Sequence, residues 1–135
     1  MLTVMALLPV PLNAESPDDL VVFVNNKSGV RSMSVEELKQ IFLKKKTRWP
    51  GGNKIDCINT PEGTAEREEF RKRILEMSKT EEITYWQNQK IRMQLSPPIE
   101  ISNTPKAVFR LNGGISYAFR KNLPSGVVKP VLVLP

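Results

Sequence analysis

The sequence IDCINTPEGTAEREEF, residues 55–70, predicts a short strand, a tight turn and the start of a helix. Ile55 and Cys57 belong to the apolar strand, and Pro and Gly mark the turn. Thr64 is a suitable N-cap, because its hydroxyl can accept hydrogen bonds from amides two or three residues later. A strand, a turn and a helix N-terminus in this order direct unpaired backbone amides at one point. We therefore place the candidate site, a site for a small anion, at this turn.

Arg67 is the charged residue on the inner face of this helix. It shares that face with three apolar residues at helical spacing, Phe70, Ile74 and Met77. A cation in the first helical turn opposes the helix macrodipole, so a carboxylate or a ligand must balance it. Four nearby acids could do so: Glu62, Glu66, Glu68 and Glu69.

Two interpretations of the turn follow. In the first, Arg67 is paired with these acids and Thr64 only caps the helix. In the second, Gly63, Thr64 and Arg67 bind an anion, with Asn59 nearby.

Length and charge limit the class of protein. A chain of 135 residues predicts one domain that can fold around its own core. The net charge is +6, but residues 1–82 contain 13 basic and 13 acidic residues, so the excess lies in the last third. These later cations are scattered and no set of stacking aromatic residues accompanies them, so we expect no nucleic-acid partner.

Cysteine and histidine usage excludes several kinds of site. The chain has one cysteine, Cys57, and no histidine. An internal disulfide, a zinc site and a Cys–His or Ser–His catalytic pair are therefore excluded. We expect no metal, no cofactor and no enzymatic activity, and we expect Cys57 to be a buried, inert thiol.

Residues 1–14, MLTVMALLPVPLNA, carry no charge and end in small residues. This pattern is typical of the apolar part and cleavage site of an export signal, and it is too short to span a bilayer. We predict a cleaved signal peptide over residues 1–14 and a single domain over 15–135; the alternative is a disordered or docked N-terminus.

The remaining elements predict an α/β domain. The run LVVFV, residues 20–24, predicts a strand buried on both faces, as in a parallel sheet. A capping box at Ser34 predicts a helix from Val35. Further elements are predicted as helices opening at Thr80 and Thr104, a short extended piece at 99–101, and strands at 115–119 and 127–134.

Several fragments also match one known family. They stand in one order along the chain: SVEELKQIFLK (34–44), RWPGG (48–52), EGT (62–64) followed by Phe70, YW (85–86) and NGGISY (112–117). Together they resemble one lobe of the periplasmic phosphate-binding proteins of phosphate ABC transporters, and in particular the small, single-lobe, substrate-binding-like members.

The resemblance implies a single lobe of a type II periplasmic-binding-protein-like fold, with a mixed sheet flanked by helices. It also implies export to the periplasm and phosphate or a similar oxyanion as ligand. The larger members hold phosphate with an Arg and with a Ser-Gly-Thr at a helix N-terminus. Gly63 and Thr64 keep the Gly and the Thr, but Glu62 stands in place of the Ser and Ile58 in place of the Arg. Arg67 is the candidate substitute for that Arg.

Two hypotheses result. The chain is a non-enzymatic domain that binds an oxyanion weakly, or in a site completed by a transporter, a partner protein or a second copy. Alternatively, it is a protein-interaction module that has kept the fold and lost the ligand. Pairing of Arg67 with Glu62 would favour the second hypothesis, and an unpaired Arg67 at an open helix end would favour the first.

Overall fold

The computed structural model describes residues 15–135, so the predicted signal peptide at 1–14 lies outside the described residues. The elements are β1 (Leu20–Val24), α1 (Val35–Phe42), β2 (Asp56–Asn59), α2 (Ala65–Phe70), α3 (Lys79–Met93), β3 (Ile99–Glu100), α4 (Thr104–Arg110), β4 (Gly114–Phe119) and β5 (Lys129–Leu134). At its C-terminal end α2 continues directly into a wider, π-helical turn, Arg71–Leu75. None of the helices in residues 15–135 has the length and apolar character needed to cross a membrane.

The five strands form one mixed sheet in the order β3-β2-β4-β1-β5. β2 is parallel to β3 and β4, whereas β1 is antiparallel to both of its neighbours. The predicted α/β class with a mixed sheet flanked by helices is therefore confirmed. The strand at 20–24 is buried on both faces as predicted, but its parallel setting was wrong. Burial on both faces follows from helices that cover both sides of the sheet, and this does not depend on strand direction.

Each face of the sheet has its own apolar core. Leu20, Val22 and Val24 of β1 pack on the side of α1 and α2. Phe23 points to the opposite face and packs with Val108 of α4. The alternation follows from the two-residue period of a strand. The candidate turn at Gly63 therefore belongs to a sheet whose two faces are both packed against helices.

The helix starts agree with the sequence to within one residue. Ser34 caps α1 as predicted. α3 is capped by Ser78, which forms a capping box with Glu81, and α4 is capped by Asn103. The predicted start at Thr80 was one residue late, because Ser78 caps α3, which begins at Lys79. α4 begins at Thr104 as predicted, but Asn103 is its cap in place of Thr104.

Gly113 holds the start of β2 beside the start of β4. Its carbonyl accepts the amide of Asp56 at 2.9 Å and the indole N–H of the buried Trp49 at 3.0 Å. The backbone of Lys54 comes so close that a Cβ on Gly113 would lie 2.1 Å from the Lys54 carbonyl oxygen. A residue without a side chain is therefore required here.

We expect Gly113→Ala to destabilise the protein by roughly 1–3 kcal/mol, because backbone atoms must move to admit the methyl group. Gly51→Ala is the matched control, since a Cβ at Gly51 meets nothing within 4 Å. Urea unfolding of both variants checks this. Equal stability of the two variants would show that the close approach at Lys54 is relieved at no cost.

Candidate functional site

The turn before α2 has the predicted capping geometry. Thr64 has an extended backbone, and its hydroxyl accepts the amide of Arg67 at 3.2 Å and donates to the carbonyl of Pro61 at 2.8 Å. Gly63 precedes it with φ of +92°, a conformation that favours glycine. The turn at Gly63 is exposed to solvent.

A single phenol connects this turn to the end of β2. The hydroxyl of Tyr117 donates to Asn59 Oδ1 at 2.9 Å, and it accepts a hydrogen bond from the hydroxyl of Thr60 at 3.2 Å. The Thr60 and Thr64 hydroxyls are 3.3 Å apart. The Tyr117 ring is fully buried and stacks on Phe70, with 3.9 Å between ring centroids. The core therefore fixes the position of this hydroxyl, and the hydroxyl orders the polar groups around it.

Burial raises the pKa of Tyr117 above its ordinary value, although the hydrogen bond with Thr60 and the positive charge of Arg67 act in the opposite direction. The phenol therefore stays protonated at neutral pH. It is a hydrogen-bond donor to Asn59 and is not poised to accept a proton in catalysis.

Arg67 is buried, with 5% of its surface exposed. Its Nη2 donates to Glu82 of α3 at 3.1 Å, and its Nε lies 3.8 Å from Glu62. Its Nε and Nη1 have no hydrogen-bond partner among the described residues. Arg67 thus has one strong internal partner and two donors that are not satisfied.

Arg71 follows one turn later and is more completely paired. Its Nε donates to Glu82 at 2.7 Å, and its two Nη atoms donate to Glu68 at 2.7 Å and to Glu62 at 2.5 Å. Desolvation alone would lower the pKa of Arg71, but the hydrogen bonds and charges of Glu62 and Glu82 outweigh it and raise that pKa. The guanidinium is therefore permanently charged.

Glu62 lies on the solvent side of this group of charged residues. Partial burial would raise its pKa, but the hydrogen bond and charge of Arg71, together with the charge of Arg67, hold the pKa below its usual range. The two arginines face the two carboxylates of Glu62 and Glu82, so these four charges sum to zero. An anion that approaches Arg67 must therefore compete with Glu62.

The structure brings Asn59, Thr64 and Arg67 together around Tyr117, whereas Gly63 shapes the turn beside them. The prediction of which carboxylates pair with Arg67 was only partly right. Glu62 approaches it, but Glu82 from another helix binds it directly.

The other predicted acids have different roles. Glu66 accepts the amide of Phe119, and Glu68 pairs with Arg71. Arg71 could have been found from the sequence, because it lies four residues after Arg67 on the same helical face. Glu82 gave no such signal, since it is distant in sequence and resembles an ordinary acid in a first helical turn.

Cys57 is buried as expected, and desolvation raises the pKa of its thiol to about 11. The thiolate is therefore scarce at neutral pH, and this cysteine is a poor nucleophile.

The Glu82→Gln substitution tests the buried ion pairs. Glu82 and Glu68 both bind Arg71 at 2.7 Å, but the Glu82 side chain is 5% exposed and that of Glu68 is 60% exposed. We expect Glu82→Gln to lower the free energy of unfolding by roughly 3–5 kcal/mol, because it leaves buried cations without a full counter-charge. Glu68→Gln, the matched control, should cost about 1 kcal/mol or less. Chemical denaturation measures both, and a similar small loss in the two variants would contradict the role given to Glu82.

The contribution of Glu62 to stability should depend on pH. Because the pKa of Glu62 is lowered in the folded protein, its contribution is present above the pKa of the unfolded chain and is lost as the pH falls through the folded value. The difference in unfolding free energy between the wild type and Glu62→Gln should be constant near neutral pH. It should shrink toward zero as the pH is lowered. Urea unfolding at a series of pH values measures it, and a difference independent of pH would contradict the assignment.

Comparison with solved structures identifies the fold. No protein-family model and no curated protein matches the sequence. An ABC-type phosphate transport receptor from Vibrio cholerae is 18% identical, with a TM-score of 0.63 over 87% of this chain and 47% of that one. A putative phosphate ABC transporter substrate-binding protein from Clostridium perfringens, solved with bound phosphate, is 17% identical, with a TM-score of 0.63 over 85% of this chain and 45% of that one.

A possible phosphate-binding protein from Planctomyces limnophilus is 18% identical, with a TM-score of 0.58 over 84% of this chain and 40% of that one. The chain therefore spans about half the length of the solved structures that it matches. Its fold is that of one lobe of a phosphate ABC transporter substrate-binding protein, as the sequence resemblance predicted.

Proposed function

We propose that this chain is an exported, non-enzymatic domain of the solute-binding type that binds phosphate or a similar oxyanion weakly, in connection with ABC-type phosphate uptake. The proposed ligand-binding residues are Asn59, Gly63, Thr64 and Arg67. The likeness to the Vibrio cholerae transport receptor and to the phosphate-bound Clostridium perfringens protein supports the choice of ligand.

The observation that carries this proposal is the state of Arg67. Its guanidinium is buried, and two of its three nitrogens lack a partner among the described residues. Buried polar groups in proteins are nearly always hydrogen-bonded, so donors of this kind call for an acceptor. An oxyanion can supply several acceptor oxygens at once, and charge-assisted bonds of this type are the strong ones.

Two features make the binding weak. Glu62 lies 3.8 Å from Arg67 Nε and must move or be neutralised before an anion can take its place. The turn at Gly63 is open, so water competes for the remaining hydrogen bonds. We expect an affinity in the millimolar range for phosphate with this lobe alone.

A second candidate function is favoured by the ion pairs. Arg67 is bound by Glu82 and approached by Glu62, which is the arrangement expected of a domain that has lost its ligand. In this candidate the charged cluster is structural, and the protein acts as an interaction module for a partner protein. The two functions differ in how the protein should respond when Glu62 loses its charge.

The experiment is a calorimetric titration of the chain with phosphate and then with sulfate at low ionic strength. If Glu62 competes with the anion, Glu62→Gln should bind phosphate about tenfold more tightly than the wild type, which corresponds to roughly 1.4 kcal/mol. Arg67→Met removes the guanidinium that is proposed to bind the anion while keeping a side chain of similar volume. This variant should not bind phosphate.

Glu68→Gln is the matched control, because it removes one acid that pairs with Arg71 and that forms no ion pair with Arg67 in the described residues. It should leave the affinity for phosphate unchanged to within about twofold. Circular dichroism confirms that each variant is folded. If folded Glu62→Gln gives no heat with millimolar phosphate, oxyanion binding by this lobe is rejected and the interaction module becomes the better account.

A further inference from the structure

Three cations converge on the carboxylate of Glu62. Its Oε2 atom accepts a hydrogen bond from Arg71 Nη2 at 2.5 Å and lies 3.8 Å from Arg67 Nε, and its Oε1 atom lies 4.0 Å from Lys79 Nζ. Arg67 belongs to α2, Arg71 to the π-helical turn and Lys79 to the first turn of α3. A carboxylate has the same kind of charged acceptor oxygens as a phosphate or a sulfate. Its position therefore marks a place where the fold can hold an external oxyanion.

Glu62 can leave this place more easily than Glu82 can. The Glu82 side chain is 5% exposed and binds both arginines, whereas the Glu62 side chain is 33% exposed. Glu62 and Arg71 also line a groove of about 660 Å³ along α3, which is open to solvent. The Glu62 carboxylate can therefore turn into water, and a small anion can approach Arg71 along the groove.

Departure of Glu62 would leave one positive charge unbalanced inside the protein. The two buried arginines would then share a single buried carboxylate, that of Glu82. Arg71 Nη2 would lose its acceptor, and Nε and Nη1 of Arg67 already lack a hydrogen-bond partner among the described residues. Unmatched buried charges and donors are costly. An oxyanion that bridges the two guanidinium groups would restore both the charge balance and the hydrogen bonds.

Two further acids face this place, but both are exposed. Glu68 accepts from the other Nη atom of Arg71 at 2.7 Å, and Glu100 of β3 accepts the backbone amide of Glu62 at 3.2 Å. The side chain of Glu68 is 60% exposed, and Glu100 lies at the surface. Water screens exposed charges, so these two acids weaken the attraction for an anion without abolishing it.

We propose that the oxyanion takes the place of the Glu62 carboxylate, that Glu62 turns into solvent, and that Arg71 and Lys79 bind the anion together with Arg67. This inference rests on the proposed function, to which it adds two ligand-binding residues and an internal competitor. Binding is therefore an exchange of one oxyanion for another, and not the addition of an anion to an empty pocket.

Protonation of Glu62 should favour this exchange. Although partial burial would raise it, the pKa of Glu62 is held below its usual range by Arg71 and Arg67. An anion bound to the same arginines removes this stabilisation, so the pKa of Glu62 is higher in the complex than in the free protein. Anion binding should therefore take up a proton and become tighter as the pH falls into the acidic range.

Sulfate is the probe for this pH dependence because, unlike phosphate, it keeps its charge between neutral and mildly acidic pH. We expect the affinity of the wild type for sulfate to be constant near neutral pH and to rise about tenfold in acid, until it meets that of Glu62→Gln. The other acids that face this place, Glu68, Glu82 and Glu100, are present in both proteins, so the difference between the two curves isolates Glu62. Calorimetric titration at a series of pH values measures it, and circular dichroism confirms that both proteins stay folded.

Lys79 tests where the anion lies. Its side chain is 60% exposed, so its loss leaves the buried ion pairs intact. In the Glu62→Gln background, Lys79→Gln should weaken sulfate binding roughly threefold at about 0.1 M salt. Lys106→Gln is the matched control, because it removes the same charge from α4, on the opposite face of the sheet from α2. The control should change the affinity by less than about 1.5-fold.

Two further comparisons use the same titration. In the wild type, Lys79→Gln should cause a smaller loss than in Glu62→Gln, since Lys79 attracts Glu62 as well as the anion. Arg71→Met in the Glu62→Gln background should not bind sulfate, because it removes the donor that now binds Glu62 at 2.5 Å. Circular dichroism shows whether this variant has folded.

Three results would overturn the inference while sulfate still binds. They are equal effects of Lys79→Gln and Lys106→Gln, parallel pH curves for the wild type and Glu62→Gln, and unchanged affinity in folded Arg71→Met. Each would place the anion away from the Glu62 carboxylate and leave the proposed function standing. If folded Glu62→Gln binds neither sulfate nor phosphate, the proposed function is rejected and this inference with it.

Discussion

The burial of two arginines on one helix is the constraint on which this end of the structure depends. Arg67 and Arg71 lie one turn apart and face inward, where an unpaired charge would cost several kcal/mol. Glu82 offsets both charges at once by accepting from Arg67 with one oxygen and from Arg71 with the other. Because Glu82 belongs to α3, this pairing also fixes where α3 packs. The position of α3 thus follows from the electrostatics of α2 as well as from apolar contacts.

The same pairing decides how strongly the site can hold an anion. A guanidinium that is already shared with carboxylates gains less from an external anion, because Glu62 must first give up its own contacts. Asn59 Oδ1 and the Thr60 hydroxyl are both hydrogen-bonded to the Tyr117 hydroxyl, so these two groups do not change this balance. In the proposed site a ligand therefore relies mainly on the incompletely paired Arg67. Under the proposed function, an external oxyanion therefore exchanges with an internal carboxylate.

Much of the fold could be predicted from local sequence patterns. Thr64 and Ser34 cap helices where the sequence indicated, since capping depends on a side chain and an amide three residues apart. The direction of β1 could not be predicted, because Val22 and Phe23 are buried on opposite faces of the sheet whatever the direction of the neighbouring strands. Helix caps could therefore be predicted from neighbouring residues, whereas strand pairing depended on long-range contacts.

The candidate site, too, could be predicted only in part. Arg67 and Thr64 could be found because they share a turn, and the turn has a recognisable pattern. Tyr117 lies 58 residues from Asn59, and Glu82 lies 15 residues from Arg67, so neither partner is fixed by local spacing. Only the packing of β4 against β2, and of α3 against α2, brings them together.

The charged cluster lies at one end of a groove along α3. Glu62, Arg71 and Glu82 line one end of the groove that Ile83 and Ile91 form. A partner that covers this groove would exclude water from the ion pairs at its end. Electrostatic interactions strengthen as the local dielectric constant falls, so the contacts of Glu62 with the arginines become harder to exchange. An anion would therefore reach Arg67 more readily when the groove is open than when it is covered.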